Sequence, residues 1–204
     1  MKRKGAYIFM LLFFCQLLSA GGGPLFARLH PGVEWGVSPS LASFHHFNYL
    51  DESIGFRIND EGWTYPHQMN AFVLASLTFD LGKKSDICLL SGYMGLYKGR
   101  RTVPLVCRTT FYTKGKDKDG FTLFADAGMS ARKNEESLKM MELGAGYHIV
   151  LAPRSSLEIR LGSRLASDRP DVWDPIEEAY ISAHNIMRND AWYYALNISI
   201  GLSF

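Results

Sequence analysis

From residue 33 onward apolar and polar positions alternate with a period of two, in segments separated by turn residues, and no long stretch carries an apolar stripe at helical spacing. The alternation predicts eight strands, over Val33–Tyr49, Asn70–Leu81, Ile87–Tyr97, Thr102–Tyr112, Phe121–Ala131, Leu138–Leu151, Ser156–Ala166 and Ala191–Phe204. The connectors alternate too. Gly82–Asp86, Gly115–Asp119 and Ala152–Ser155 are short, polar turns, whereas Leu50–Met69 and Ser167–Asp190 are long. The two middle connectors on the long side, around Lys98–Arg101 and Arg132–Ser137, are short.

The sense of the alternation decides the class. In a soluble barrel the apolar face turns inward; in lipid the outward face must be apolar, because no water is there to solvate an outward charge. On the last segment Trp192, Tyr194, Leu196, Ile198, Ile200, Leu202 and Phe204 share one face, with Asn197, Ser199, Gly201 and Ser203 opposite. Leu157, Ile159, Leu161 and Leu165 oppose Glu158, Arg160, Gly162 and Arg164, and Met141, Leu143, Tyr147 and Ile149 oppose Glu142, Gly144, Gly146 and His148. Glu34, Arg108 and Asp126 continue the polar side on other segments. In this register Lys139 is the one charge on an outward face. A midplane Arg or Lys facing lipid costs about 2–4 kcal/mol, whereas inward these acids and bases can pair.

The expected fold is therefore all-β, an eight-stranded antiparallel up-and-down transmembrane β-barrel. Its lumen carries a polar network of Glu34, Arg108, Asp126, Glu142, His148, Glu158, Arg160 and Arg164. Eight strands enclose just enough space for side chains, so these groups read as a plug and disfavour a porin-type channel. Aromatics on the outward parity should form two girdles, with Trp35, Phe79, Phe111, Phe121, Tyr147 and Phe204 at one end and Tyr49, Tyr97, Trp192 and Tyr194 at the other. Pro39 and Pro104 fall inside strands, where bulges are expected.

The first 21 residues change the picture of location. A basic start (Lys2, Arg3, Lys4) precedes an apolar run from Ala6 to Leu18 and then Ser19-Ala20-Gly21-Gly22-Gly23-Pro24. This is the layout of a secretory signal peptide over residues 1–21, with cleavage after Ala20 or Gly21; the run is too short and too glycine-bounded for a spanning helix. Residues 22–32 form a short lead-in and 33–204 the barrel. Without the three leader charges the 20 acidic residues outnumber the basic ones by one, so nothing points to nucleic acid as a partner. Cys88 and Cys107 fall on neighbouring strands several residues out of register. That favours two buried free thiols, although an oxidising compartment leaves a bridge open.

The architecture from Val33 onward resembles the small eight-stranded outer-membrane proteins of the OmpA/OmpX type. The specific piece is Tyr194-Ala195-Leu196-Asn197-Ile198-Ser199-Ile200-Gly201-Leu202-Ser203-Phe204, similar to the terminal assembly signal of such barrels. The resemblance implies that Tyr194, Leu196, Ile198, Ile200, Leu202 and Phe204 are read by the barrel-assembly machinery. It also implies periplasmic termini, extracellular long loops, and outer-membrane lipids with lipopolysaccharide as surroundings. Glu34-Trp35-Gly36 and Arg188-Asn189-Asp190-Ala191 resemble segments of a further group of small barrels, from which no activity carries over.

No cofactor or metal constellation stands out. A lipid A-modifying enzyme would need a serine, a histidine and an acid, for which Ser43 with His45 or His46, and His184 with Glu177 or Glu178, are candidates. The His-x-Ser pattern of lipid A deacylases is missing, since Asn185-Ile186 follow His184. The acidic set Asp168, Asp171, Asp174, Glu177 and Glu178 lacks the order of a calcium loop. Asp174-Pro175 could cap a short helix. Lys98, Arg100, Arg101, Arg132 and Lys133 would lie on the outer rim, where they could contact lipopolysaccharide phosphates. The leading expectation is a non-enzymatic barrel that acts by surface binding or envelope integrity, through an unknown ligand of long loops exposing Trp63, Tyr65 and Trp173. The alternatives are a lipid A-modifying enzyme and a soluble periplasmic lipocalin-like binder.

Overall fold

A computed structural model of the chain describes residues 29–96, 101–132, 135–174 and 178–204. The leader segment lies outside these residues. Eight strands form a closed antiparallel ring: β1 (Leu29–Asp51), β3 (Gln68–Asp80), β4 (Ser85–Gly95), β6 (Leu105–Tyr112), β7 (Gly120–Arg132), β8 (Glu135–Ala152), β9 (Ser155–Asp168) and β12 (Ile186–Ser203). Closure is made by β12 on β1, in register from Gly32 opposite Ser203 to Tyr49 opposite Ile186. The remaining pieces are β2 (Phe56–Thr64), which extends β1 as a hairpin, the two-residue β5 (Arg101–Thr102), and a small hairpin of β10 (Trp173–Asp174) and β11 (Ala179–Tyr180). Each ring strand pairs with its sequence neighbours in the ring, so every connection is a local turn or loop.

The facing matches the inverted pattern. Leu143, Leu161, Ile198, Phe121 and Met141 are exposed on the outside, while Glu34, Arg108, Asp126, Glu142, Glu158 and Arg164 are buried within. β4, ambiguous from sequence, turns Asp86, Cys88 and Leu90 inward and Leu89 and Tyr93 outward. The cysteines are free, but only Cys88 is buried. Leu89 opposes Cys107 and Cys88 opposes Arg108, so the thiols are one residue out of register and on opposite faces of the sheet. The expectation of two buried thiols several residues apart is corrected on both counts.

Further expectations change. The first strand begins at Leu29, inside the expected lead-in. The connector after Leu50 is no open loop: Asp51 opposes Phe56 and the chain returns as β2 along β1. Asp174 is paired with Ala179 and Glu178 takes a positive φ of 49°, while residues 175–177 of the expected short helix lie outside the described residues. Tyr49 is buried, so it leaves the outer girdle. The cause of this last change is a bulge just after Pro39, where Ser40 opposes Ala195 but Ala42 opposes Tyr194. Leu41 is the extra residue, and a one-residue insertion reverses the facing of all that follows on the strand. At Pro104 the strand stops altogether, leaving β5 separate from β6. Tyr97 lies outside the described residues.

The outer girdle has other members. Trp63, Phe44 and Trp192 are in register across β2, β1 and β12, with the Phe44 and Trp63 rings 5.3 Å apart. From Trp192 down to Phe204 the chain spans about 30 Å along the axis of a barrel with ordinary strand tilt, enough to cross a hydrocarbon layer.

Inward glycines hollow the wall where the largest lumen side chains sit. A Cβ on Gly162 would lie 2.2 Å from Glu142 Oε1, and one on Gly144 would lie 2.4 Å from both the Phe124 ring and the Leu161 carbonyl oxygen. Because one of these contacts is backbone, no rotamer relieves it. Gly144→Val should therefore abolish the folded band of the barrel on unheated gels, whereas Leu143→Val, one residue away and lipid-facing, should leave that band intact.

Candidate functional site

The lumen is layered, and each layer follows from which strands supply inward residues at that height. In the middle layer Arg108, on the short strand β6, reaches in both directions. Its Nε and Nη2 donate to the two Asp126 carboxylate oxygens at 2.8 and 2.7 Å, and its Nη1 donates to Glu34 Oε2 at 2.5 Å. Arg160 donates to the same Glu34 oxygen at 2.8 Å, and the Ser199 hydroxyl donates to the other at 2.8 Å. The Arg108 guanidinium also lies over the Phe124 ring, 4.7 Å from its centroid. Two guanidiniums thus meet two carboxylates in a buried layer of the lumen, with hydrogen bonds directed along the bidentate geometry that favours Arg.

Beneath it, toward the short turns, Glu158 receives Arg160 at 2.5 Å and lies 2.9 Å from the Tyr112 hydroxyl, which is itself 2.8 Å from Asp86. Lys116 approaches Asp86 at 3.2 Å and also contacts Asp80. His148 puts Nδ1 3.3 Å from Glu158 and Nε2 2.9 Å from the Lys116 carbonyl oxygen. A cavity of 360 Å³ lies at this end, lined among others by His30, Asp80, Lys116, His148 and Arg160.

Above the middle layer Arg164 binds Glu142 through Nε at 3.0 Å and Nη2 at 2.8 Å, and Asn197 donates to the same Glu142 oxygen at 2.5 Å. The lumen then turns apolar. Phe72, Leu74, Leu90, Met94, Val106, Leu138, Met140 and Ala166 form a buried cluster. The expected ionic plug is joined by an apolar one, so the lumen is a two-part seal, ionic toward the short turns and apolar toward the long loops.

All eight residues expected in the lumen lie there, and Asp86, Tyr112, Lys116, Asn197 and Ser199 join them. Tyr112 shares the parity of Arg108, which is its signal, whereas Asp86 shares that of Cys88 and Leu90 on a strand whose facing the sequence leaves open. Lys116, from a turn, carries none.

Outside the ring β2, β1 and the outer half of β12 form a three-stranded ribbon. On its outward face, beyond the aromatic row, His46 is flanked in register by Glu61 and Asp190, and Asn48 by Asn59 and Arg188. His46 Nδ1 is 3.4 Å from Glu61, and His45 Nε2, on the other face, is 3.3 Å from Asp60. Partial burial works against ionisation of Asp190, yet hydrogen bonds and charge from Arg188 and Arg169 hold its carboxyl below the usual carboxylate range. The loop after β9 packs against the ribbon, with Val172 and Asn185 buried and Asn185 donating to Glu52 at 2.6 Å. Trp63 stands in the girdle rather than at a loop tip, and Trp173 stacks edge-on with Tyr180 at 5.0 Å.

The candidate catalytic groups are scattered. Ser43 is buried, 3.5 Å from the Thr64 carbonyl oxygen, and His46 points to the opposite face. His184 is exposed, with Ser182 Oγ 2.8 Å from Nδ1 and Glu52 3.5 Å from Nε2. That chain of contacts lies open to water, and Glu177, one of the expected acids, lies outside the described residues. Of the rim cations, Arg101 is exposed, Arg132 opposes Glu135 where β7 turns into β8, and Lys98, Arg100 and Lys133 lie outside the described residues.

No protein-family model matches the chain, and no curated protein matches it. Solved structures with a similar arrangement include small outer-membrane barrels. The outer membrane protein OprG from Pseudomonas aeruginosa has 10% identity and a TM-score of 0.48, over 86% of this chain and 95% of that one. Neisserial surface protein A has 8% identity and a TM-score of 0.42, over 87% and 97%. AlkL, determined in lipid bilayers, has 9% identity and a TM-score of 0.39, over 85% and 90%.

Removing Arg108 leaves the buried Asp126 carboxylate without its cation and Glu34 with Arg160 alone, which should cost about 3–5 kcal/mol. Arg108→Ala should accordingly shift the unfolding midpoint in urea, read by tryptophan fluorescence, far below that of the wild type. Arg101→Ala at the exposed rim should leave it unchanged.

Proposed function

We propose that this chain is an integral barrel of a bacterial outer membrane whose external ribbon and loop carry its activity by binding at the cell surface. The carrying observation is the sidedness of the ring: buried ion pairs inside, and a continuous belt of Leu, Ile, Met and aromatic side chains outside. A soluble protein rarely exposes more than a few hundred Å² of contiguous apolar surface, and this belt encircles the ring. The lipocalin-like alternative needs the reverse arrangement, an apolar interior beneath a charged exterior. A channel is disfavoured by the double seal of the lumen. The three short turns, with the start of β1 and the end of β12 beside them, face the periplasm in this reading, and the β1–β2 hairpin with the 169–185 loop faces outward.

Lipid and lipopolysaccharide surround the belt in this reading. The outward Tyr194, Leu196, Ile198, Ile200, Leu202 and Phe204 serve first as the assembly signal and afterwards as lipid-facing wall. Glu142, His148 and the other lumen groups fill and seal the interior rather than catalyse.

Two measurements test the proposal. The protein should remain in the membrane fraction after alkaline carbonate extraction and migrate faster on gels before boiling than after. A freely water-soluble mature chain would overturn the reading. Deleting Phe204 should lower the yield of the fast-migrating form in cells while leaving refolding of the purified chain into detergent unchanged, because the loss falls on recognition during assembly.

A further inference from the structure

Strand β2 (Phe56–Thr64) is hydrogen-bonded on one side only, to β1; among the described residues nothing pairs with its other edge. Nine residues of extended backbone with a free row of donors and acceptors form a template for another strand. The occupant is indicated by the edge's own sequence. When two copies of β2 run antiparallel with Asn59 on the two-fold axis, Arg57 of each faces Glu61 of the other, and Phe56 faces Gly62. Arg57 and Glu61 lie on the same face of the strand, and both are exposed. Phe56 is 73% exposed, and the nearest atoms to a Cβ on Gly62 belong to the His45 ring at 3.6 Å, so an aromatic ring can lie across the glycine. Sliding the register one step of the pleat one way puts Asp60 on Asp60, where like charges directly opposite are destabilising, and the other way takes Arg57 off Glu61 and onto Asn59.

We propose that β2 is a self-pairing edge that joins two copies of this chain in apposed membranes, with Arg57 of each opposite Glu61 of the other. The inference rests on the membrane reading above. Copies in one membrane point the same way, so their β2 strands run parallel, which brings the Asp60-Glu61 pairs of the two copies together. Copies facing each other across a gap present β2 antiparallel. The ribbon extends beyond the aromatic row of Trp63, Phe44 and Trp192 by about 24 Å along the strand, so two ribbons can overlap side by side between the surfaces. A single short strand pair is weak, but many copies on each surface convert it into adhesion by avidity.

The test uses the full mature chain in phosphatidylcholine vesicles, with clustering read by light scattering and insertion read by flotation. Wild-type vesicles should cluster with each other and not with protein-free vesicles. R57E alone puts Glu opposite Glu, and E61R alone puts Arg opposite Arg, so each should lose clustering. Mixing the R57E and E61R vesicles should restore it. In the mixed pair the introduced carboxylate of one copy meets the introduced guanidinium of the other, and the unchanged Glu61 of the first meets the unchanged Arg57 of the second. For the same reason the R57E/E61R double variant should cluster with itself. Both positions are exposed, and the gel shift on boiling checks that each variant is folded. Clustering that survives either single change, or a mixture that stays dispersed, would overturn the pairing. Insertion without wild-type clustering overturns this inference alone, whereas failure to insert overturns it together with the membrane reading.

Discussion

The structure depends on charge being confined to the inside of a closed ring. Arg108 and Asp126 face each other across β6 and β7, but Glu34 on β1 meets Arg108 and Arg160, from strands far along the chain, only once β12 has closed on β1. Taken singly, each would be too costly to bury. Together they satisfy one another, and the cost of separating them opposes opening of the ring. The same closure removes the backbone edges that a lipid environment would leave unsatisfied.

Side-chain volume is the second constraint. An eight-stranded ring has little room, and the lumen holds several guanidiniums and the Phe72 and Phe124 rings. Glycines at inward positions of β1, β7, β8, β9 and β12 supply the space, so small and large residues interlock around the axis. The apolar half of the lumen sits on the long-loop side, where Met94 abuts Arg164 and Phe72 underlies the same guanidinium at 5.3 Å. An ion entering from either side meets a salt-bridged layer and a greasy one in sequence.

Much of the fold is legible because a strand facing two unlike media carries a simple period. β9, β8 up to Val150 and β12 from Arg188 onward alternate without interruption, and their residues lie on the expected sides. Legibility fails where the period alone cannot decide. β4 is apolar on both faces because it lines the greasy half of the lumen, so Cys88, Leu89 and Leu90 give no sense of direction. Tyr49 changes side because one inserted residue, Leu41, flips the count. The β1–β2 hairpin is hidden because Arg57, Asn59 and Asp60 read as loop composition, although a ribbon in water can be polar on both faces. Lys116 joins the lumen from a turn, a placement that only tertiary packing reveals.

The extra residue at Leu41 also separates the chain's obligations. Below it, each position on β1 answers to lipid on one side and to the ionic core on the other, and a change of residue type is felt by both. Above it the count restarts, and beyond the Phe44–Trp63 row the hairpin answers only to water and to the loop that leans on it. Sequence drift in the exposed ribbon is thereby decoupled from the wall, and a new surface could evolve there without retuning the part that must survive in the bilayer.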